Sequence, residues 1–224
     1  MNLSRLILNP QSRAARNDLA SPYEMHRTLV TRGFPDGNSE GNRLLFRIEP
    51  PIRGVRQPGV AVIVQSSVDV PSWTHLPEDY CVRIDGPKEV GLLLHEGEHL
   101  GFRLTANPVV KRKRLDALRT NGHPKHQRFG LLREEEQQTW LIRKGKESGF
   151  DLLYVNAAPF RLGLGYHGNP TDKNKNSISH FGVRYDGLLV IRDVERLLEA
   201  LRSGIGPAKA FGFGLLSLSP PIGR

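Results

Sequence analysis

A phenol, an imidazole and a guanidinium occur close together in this chain, at Tyr23, His26 and Arg27. Cutting an RNA phosphodiester through its neighbouring ribose 2′-hydroxyl needs a proton acceptor, a proton donor for the departing 5′-oxygen, and a cation near the phosphate. His26 can perform either proton transfer near neutral pH, Tyr23 can orient or deprotonate the hydroxyl, and Arg27 can hold a phosphate oxygen. The alternative is an ordinary surface helix whose Tyr and His have no chemical task.

These side chains belong to a segment, Ser21 to Arg32, that the sequence predicts to be a helix. Ser21 is a favourable N-cap and Pro22 suits the first helical position. Glu24 stands where its side chain can reach back to complete a capping box. The chemistry would therefore be carried by one short, rigid element.

Helical periodicity divides that segment into two faces. At 3.6 residues per turn, Met25 and Leu29 fall on one face and can be buried. The opposite face carries Tyr23, His26, Arg27 and Val30. One side of the helix can thus anchor it while the other presents the polar groups.

Charge indicates the kind of partner. The chain has 224 residues, with Lys+Arg 32 against Asp+Glu 23, a formal net charge of +9 and a pI near 10.0. This balance favours a polyanion such as nucleic acid, although a soluble protein that happens to be basic is the alternative. The lone Cys81 excludes an internal disulfide framework and a cysteine zinc cluster within one chain, and fits a reducing cytoplasm.

Hydropathy predicts a soluble protein. The apolar part of the N-terminal stretch, Leu3 to Leu8, is too short for a signal peptide. No later apolar run approaches the length of a membrane span.

The first half of the chain predicts alternating elements. They are a strand at Leu3–Leu8, a polar connection at Arg13–Asp18, the helix above, strands at Leu44–Ile48 and Val60–Gln65, a short helix within Pro71–Asp79, and a strand at Tyr80–Ile84. This βαββαβ order is that of a ferredoxin-like, RRM-like domain, which we place at residues 1–88. Residues 89–98 change composition and are predicted to be a linker.

The second half is predicted to repeat the unit. The alternating strand His99–Asn107 stops at Asn107-Pro108 as the first strand stops at Asn9-Pro10. Further predicted elements are a helix at Glu134–Ser148, strands at Phe150–Val155, Phe160–Tyr166, Ser179–Tyr185 and Leu188–Ile191, a helix capped by Asp193 and ending at Arg202, and a strand at Phe213–Leu218. We assign residues 99–224 to a second domain.

Several basic groups are candidate RNA contacts. Val109–Arg128 is predicted to be an irregular, mobile segment, and the alternative is a solvated charged loop without a task. His167–Ser177 is predicted to be a hairpin tip that could probe a duplex groove or have no task. The basic candidates are Arg13, Arg16, Lys111, Arg112, Lys113, Arg114, Lys125, Arg128, Lys173 and Lys175.

The strongest local pattern is a glycine-rich loop around Lys209. Its glycines, Gly204, Gly206, Gly212 and Gly214, would let backbone N–H groups approach a phosphate closely. It is neither a Walker loop nor a dinucleotide fingerprint, because it follows a helix, precedes a strand and lacks a Lys-Ser/Thr pair. A structural turn is the competing interpretation.

The sequence His95-Glu96-Gly97-Glu98-His99 formally matches the zinc-protease signature. Its glycines disfavour a helix, and without a helix the two imidazoles lose their common face. We therefore expect no metal and no other cofactor.

Taken together, specific stretches of this chain resemble the CasE family, the CRISPR repeat-processing endoribonucleases of type I-E systems in the RAMP superfamily. The stretches are Leu3–Asn9, Ser12–Arg16, Asp18–Ala20, Pro22–Leu29, Phe102–Pro108 and the glycine loop ending in Gly214–Leu218. The resemblance covers both ends and the middle of the chain. It implies two tandem ferredoxin-like domains, an α+β fold.

The resemblance also implies a function. Family members cut the precursor transcript at the base of each repeat hairpin without a metal, leave a cyclic phosphate, keep the product, and join the Cascade complex. Tyr23 and His26 align with the family's catalytic pair, and the Lys209 loop with its glycine loop. The Tyr166–Ser179 region aligns with a hairpin associated with stem binding. A free monomer is expected before assembly.

One position departs from the family pattern. Some members carry a lysine where this chain has Thr31, so Arg32 or Arg27 is predicted to supply the cation. A free phenol has a pKa of about 10 and is a poor base unless a cation lowers it. We predict His26 as acid and Tyr23 as base or orienting group. A non-catalytic RNA-binding scaffold is the alternative function.

Overall fold

The computed structural model describes residues 1–51, 58–118, 124–161, 165–167, 176–178 and 181–221. The N-terminal half contains strands β1 (Asn2–Leu8), β2 (Leu44–Ile48), β3 (Val60–Ser66) and β4 (Cys81–Glu89), and helices α1 (Arg13–Ala20) and α2 (Pro22–Gly33). Its antiparallel sheet has the order β2-β3-β1-β4.

The C-terminal half contains a second four-stranded sheet and two smaller pairs of strands. Its elements are β5 (His99–Ala106), β6 (Val109–Leu118), β7 (Pro124–Gly130), α3 (Glu134–Glu147), β8 (Phe150–Arg161), β9 (Gly165–His167), β10 (Asn176–Ile178), β11 (Phe181–Ile191), α4 (Val194–Ser203) and β12 (Leu216–Ser219). The antiparallel sheet has the order β12-β5-β11-β8, while β6 pairs with β7 and β9 with β10.

Both large sheets have the same topology. Within each half the strands stand in the order fourth, first, third, second, which is the arrangement of a βαββαβ ferredoxin-like fold. The strands β1 and β5, whose shared Asn-Pro ending predicted a duplication, occupy the same place in the two sheets. The predicted α+β fold with two ferredoxin-like domains is confirmed.

Each half has its own apolar core, because alternate residues of the strands point towards the helices. In β1 the residues Leu6 and Leu8 are buried, and they pack in one cluster with Met25 and Leu29 of α2. In the second half, strand β5 and helices α3 and α4 enclose a cluster that includes Leu104, Trp140, Phe150, Tyr185 and Leu201. Burial of Met25 and Leu29 in the N-terminal cluster holds α2 against its sheet.

The polar connection predicted at Arg13–Asp18 is wrong, because these residues form α1. Ser12 caps that helix by accepting a hydrogen bond from the Ala15 N–H at 3.4 Å. The capping box predicted for α2 does not form either. The Ser21 N–H is already bonded to the carbonyls of Asn17 and Asp18 at the end of α1, so it has no need of a Glu24 carboxylate.

Two other predictions are corrected by the structure. The segment Pro71–Asp79 contains a single 3-10 turn, Trp73–His75, because a proline on either side limits its length. Val109–Arg128 is not irregular: β6 and β7 form an antiparallel ribbon in which Lys111 stands opposite Arg128. Residues 119–123 lie outside the described part of the chain.

The strand predicted at Phe150–Val155 continues through Phe160 to Arg161 as the long β8, and Gly165 and Tyr166 belong to β9. The strands predicted on either side of Gly187 are one strand, β11, which begins at Phe181. Pro159 is tolerated because β8 is an edge strand. Gly187 is no break, since a β-carbon there would lie 2.1 Å from the Tyr154 carbonyl oxygen. The glycine at this position lets β11 pair closely with β8.

Strand β4 extends to Glu89, well beyond the predicted end at Ile84, and the Val90 N–H bonds to the Met1 carbonyl. The division into 1–88, 89–98 and 99–224 remains a proposal. No helix in the described ranges is both long and apolar enough to cross a membrane.

Candidate active site

Helix α2 presents its two faces as its periodicity predicts. Met25 and Leu29 are fully buried in the N-terminal core, whereas Tyr23 and His26 are only partly buried. The helix is therefore anchored by one face while the phenol and the imidazole remain within reach of a ligand.

The two rings meet aromatic residues from other elements. The Tyr23 ring centroid lies 6.1 Å from that of Phe211, which belongs to a 3-10 turn, Lys209–Phe211, in the glycine loop. The His26 centroid lies 6.3 Å from that of Phe46 on β2. Tyr23 and His26 thus lie where α2, β2 and the glycine loop come together.

Burial sets the protonation state of the imidazole. It lowers the pKa of His26 from the ordinary value of a histidine, because a charged ring loses hydration in this position. In the part of the chain that the structure describes, no carboxylate forms an ion pair with His26 to offset this effect. The ring is consequently neutral near neutral pH and ready to accept a proton.

The glycine loop has the backbone that its composition predicts. All four glycines, Gly204, Gly206, Gly212 and Gly214, have positive φ angles. At Gly212, where φ is 81°, a β-carbon would also lie 3.0 Å from the Phe46 ring. Hydrogen bonds from the Ile205 N–H to the Gly214 carbonyl and from the Gly214 N–H to the Thr105 carbonyl fix the loop.

A wide groove, with a volume of about 960 Å³, runs from the base of the β6–β7 ribbon across α3 to the glycine loop. The predicted contacts Lys111, Arg128, Lys209, Gly204 and Gly206 all line it. So do Arg143 and Lys144 of α3, alongside the acidic Glu135 and Glu136. The groove collects cations from three separate segments.

Sequence reasoning missed Arg143 and Lys144 as site residues, because their position near the end of α3 matched the helix macrodipole and needed no other explanation. Their spacing could have indicated them, because Arg143 and Lys144 follow the buried Trp140 by three and four residues and so lie on the same side of α3.

The two arginines predicted to supply the cation lie elsewhere. Arg27 forms an ion pair with Glu24 at 2.5 Å, and Arg27 and Arg32 line a groove with Asp18 and Tyr80 that neither Tyr23 nor His26 lines. The prediction that Arg27 shares a working face with Tyr23 and His26 is therefore not supported by this geometry. The Thr31 hydroxyl donates to the Arg27 carbonyl at 2.9 Å.

The other basic candidates are dispersed. Arg13 is exposed on α1, and Arg16 donates hydrogen bonds to the carbonyls of Pro10 and Gln11. Arg112 lies over the Phe129 ring at 6.0 Å. Lys113, Arg114 and Lys125 occupy paired positions of the ribbon. Lys173 and Lys175 lie outside the described residues, as does most of the predicted hairpin tip.

A polar network joins the two halves close to this site. The buried Arg47 of β2 donates to the Leu215 carbonyl at 3.1 Å and to the Ser217 hydroxyl at 3.0 Å, and it pairs with Glu49 at 2.6 Å. Gln65 donates to the Leu201 carbonyl at 2.6 Å. These bonds join β2 and β3 to the segments just before and just after the glycine loop, and no sequence pattern indicated them.

The zinc-protease pattern is not built as a metal site. His95–Glu98 form a turn and His99 begins β5, so the two imidazoles do not share a helix face. No group of three or more His, Cys, Asp and Glu side chains within the described ranges is arranged to hold a metal ion.

Comparison with known proteins identifies the family. The model of the family described as CRISPR associated protein matches residues 1–220. The CRISPR-associated endoribonuclease Cse3 of Thermus thermophilus is 40% identical, over 98% of this chain and 100% of that protein. The chain belongs to the Cse3/CasE family of CRISPR-associated proteins.

Two further comparisons show how widely the family likeness extends. The CRISPR system Cascade subunit CasE of Escherichia coli (strain K12) is 32% identical, over 98% of this chain and 100% of that protein. A solved structure of Cse3 bound to a 19-nucleotide RNA matches with a TM-score of 0.81 at 38% identity, covering 98% of this chain and 100% of that one. The resemblance to CasE is confirmed along essentially the whole chain.

Proposed function

We propose that this protein is a CRISPR repeat-specific endoribonuclease that cuts precursor transcripts at the base of the repeat hairpin and retains the product within Cascade. The observation that carries this proposal is that Tyr23 and His26 both lie on the accessible side of α2, with Tyr23 against Phe211 of the glycine loop and His26 beside Phe46. Support comes from two relatives, one an endoribonuclease and the other a Cascade subunit.

The chemistry is an internal transesterification. The 2′-oxygen attacks the neighbouring phosphorus and loses its proton, the bond from phosphorus to the 5′-oxygen breaks, and that oxygen gains a proton. The products are a 2′,3′-cyclic phosphate and a 5′-hydroxyl. Because burial keeps His26 neutral, we infer that its imidazole takes the 2′-hydroxyl proton and that the Tyr23 phenol donates to or orients the leaving oxygen. This reverses the roles predicted from sequence.

The pH dependence of cutting tests that assignment. If neutral His26 is the base, the single-turnover rate constant rises with pH until the pH exceeds the lowered pKa of His26, and is level through neutrality. Rates measured at saturating protein in buffers from about pH 4.5 to about pH 8 would show this. If His26 is instead the acid, the rate falls as the pH rises through the same range, since the imidazolium is lost.

RNA recognition in this proposal relies on the groove and the ribbon. An A-form stem hides its base edges in a deep, narrow major groove, so a protein contacts it mainly through phosphates and shape. The cations Lys111, Arg128, Arg143 and Lys144 lie along one continuous groove that can follow such a backbone. Binding is therefore expected to weaken steeply with salt concentration.

We further propose that the free protein is a monomer that acts in the cytoplasm. Its single thiol, Cys81, is half-buried, and burial raises the pKa of that thiol to about 11. The group therefore stays protonated at neutral pH. The argument for a reducing compartment is that the chain has one cysteine and so no internal disulfide. An RNA substrate fits the same compartment.

The competing function is an RNA-binding scaffold without activity, and one experiment separates the two. The protein is incubated in EDTA with a repeat hairpin RNA from the genome that encodes it, and with the same RNA carrying a single 2′-deoxy sugar before the scissile phosphate. We expect cutting of the first RNA and none of the second, because the deoxy sugar lacks the attacking hydroxyl. Binding of both RNAs without cutting of either would support the RNA-binding scaffold instead.

A further inference from the structure

The charge that develops on the phosphate requires a cation, and α2 does not place one beside its own rings. The Arg27 guanidinium is 2.5 Å from the Glu24 carboxylate. Together with Arg32 it lines a separate groove that contains Asp18 and Tyr80. Tyr23 and His26 line neither this groove nor the cationic one. Arg27 is already paired with a carboxylate, so a cation carried by another element is the alternative source of positive charge.

The glycine loop is the element that reaches this position. Its 3-10 turn begins at Lys209 and ends at Phe211, whose ring contacts that of Tyr23. The next residue, Gly212, packs on the Phe46 ring that lies beside His26. Lys209 is thus one short turn away from both aromatic contacts, on a flexible stem with a compact ammonium at its end.

Lys209 is surrounded by charge of its own sign. Its side chain is half-buried, and it lines the cationic groove with Lys111, Arg128 and Lys144. Burial lowers the pKa of the Lys209 ammonium, and the positive charges of Arg43 and Lys144 lower it further. Over the residues that the structure describes, Lys209 forms no ion pair with a carboxylate.

A half-buried ammonium held near other cations is unfavourable until an anion arrives. The anion that the groove is suited to receive is a phosphate of the RNA backbone. The loop's backbone, bonded to Thr105 and Ile205, holds the start of the lysine side chain in place before that phosphate binds. The stabilisation is thereby available without reorganisation of the loop.

We propose that Lys209 contacts the phosphate being cut and supplies the positive charge that stabilises its transition state, in place of a cation from α2. The inference rests on the proposed endoribonuclease function. It makes the active site a composite, with the proton-transfer groups on the N-terminal domain and the electrostatic group on the C-terminal domain.

The test is Lys209→Met, assayed by single-turnover cutting of the repeat hairpin RNA at saturating protein. We expect the rate constant to fall about 100-fold, since one transition-state contact is lost. Lys209→Arg should recover most of the rate because it restores the charge. Affinity for the uncleavable 2′-deoxy RNA should change only a few-fold. Lys146→Met is the matched control: it removes the same charge from an exposed position on α3, outside the groove, and should cut at the wild-type rate.

Three outcomes would overturn the proposal. The first is wild-type cutting by Lys209→Met. The second is weaker RNA binding by Lys209→Met with a normal rate constant at saturating protein, which would make Lys209 an RNA-binding residue without a catalytic role. The third is a loss of about 100-fold in Arg27→Ala or Arg32→Ala but not in Lys209→Met. Lys209→Gln, with its thermal unfolding midpoint compared with that of the wild type, separates a chemical loss from unfolding. Failure of the wild-type protein to cut would instead refute the proposed function.

Discussion

His26→Ala is expected to reduce the single-turnover rate of repeat cutting about 1,000-fold, because removing a general acid or base costs roughly 100-fold to 10,000-fold. The imidazole is half-buried beside Phe46, and its neutral form is the one that accepts a proton. Affinity for the 2′-deoxy hairpin should be nearly unchanged, since the cations proposed to contact the phosphates line the groove and His26 does not. Both quantities are measured on one preparation, by gel-resolved cutting and by filter binding.

His75→Ala is the control for this variant. His75 is exposed in the 3-10 turn of the N-terminal half, where its ring lies 3.2 Å from the Thr74 hydroxyl. It belongs to neither α2 nor the glycine loop, so its loss should leave the rate unchanged. A comparable loss of hairpin affinity in His26→Ala would reassign His26 from chemistry to recognition. His26→Gln keeps a polar group of similar size next to Phe46. An equal loss of rate in this variant would show that the loss in His26→Ala does not come from a packing defect.

Arg47→Ala is expected to lower the free energy of unfolding by about 3 kcal/mol, the scale found when one partner of a buried ion pair is removed. Arg47 is buried in β2, and burial lowers the pKa of its guanidinium despite the opposing charge of Glu49. The substitution also leaves the Leu215 carbonyl and the Ser217 hydroxyl without their donor. Urea denaturation, followed by circular dichroism, gives the change directly.

Arg192→Ala provides the comparison for Arg47→Ala. Arg192 also pairs with a carboxylate, that of Asp151 at 2.8 Å, but the pair is exposed, so its loss should cost under about 1 kcal/mol. Equal losses in the two variants would mean that the network around Arg47 adds nothing to the joining of the two halves. A selective loss in Arg47→Ala would show that this buried network stabilises the fold.

Local patterns in the sequence were enough to predict the elements whose formation depends on near neighbours. Helix α2 buries Met25 and Leu29 as its 3.6-residue period requires, and α4 begins at the Asp193 cap. The repeated Asn-Pro ending of β1 and β5 indicated a duplicated unit, because two copies of one fold end their first strand in the same way. The positive φ angles of the loop around Lys209 followed from its glycines.

The errors arose where a local pattern had two solutions. The basic residues from Lys111 to Arg128 are as compatible with a solvated loop as with a ribbon, and only pairing between β6 and β7 decides. The Ser21 N–H can donate either to the Glu24 carboxylate in a capping box or to the last carbonyls of α1, and in the structure it donates to Asn17 and Asp18 of α1. The helical wheel places Arg27 near Tyr23 and His26, but its ion pair with Glu24 draws it away.

The sequence by itself predicted that Tyr23 and His26 share the accessible face of α2 and that the Lys209 loop is rich in positive φ angles, because both depend on residue types within a few positions of one another. The two ferredoxin-like units were predicted from the order of elements and from the family resemblance. Tertiary structure alone decided what faces those rings. Phe211 is more than 180 residues from Tyr23, yet their rings meet in a fold where Arg47 bonds to Leu215 and Gln65 bonds to Leu201 of α4. Contacts at that separation leave no periodicity in the chain, so which cation serves α2 had to be found from the folded molecule.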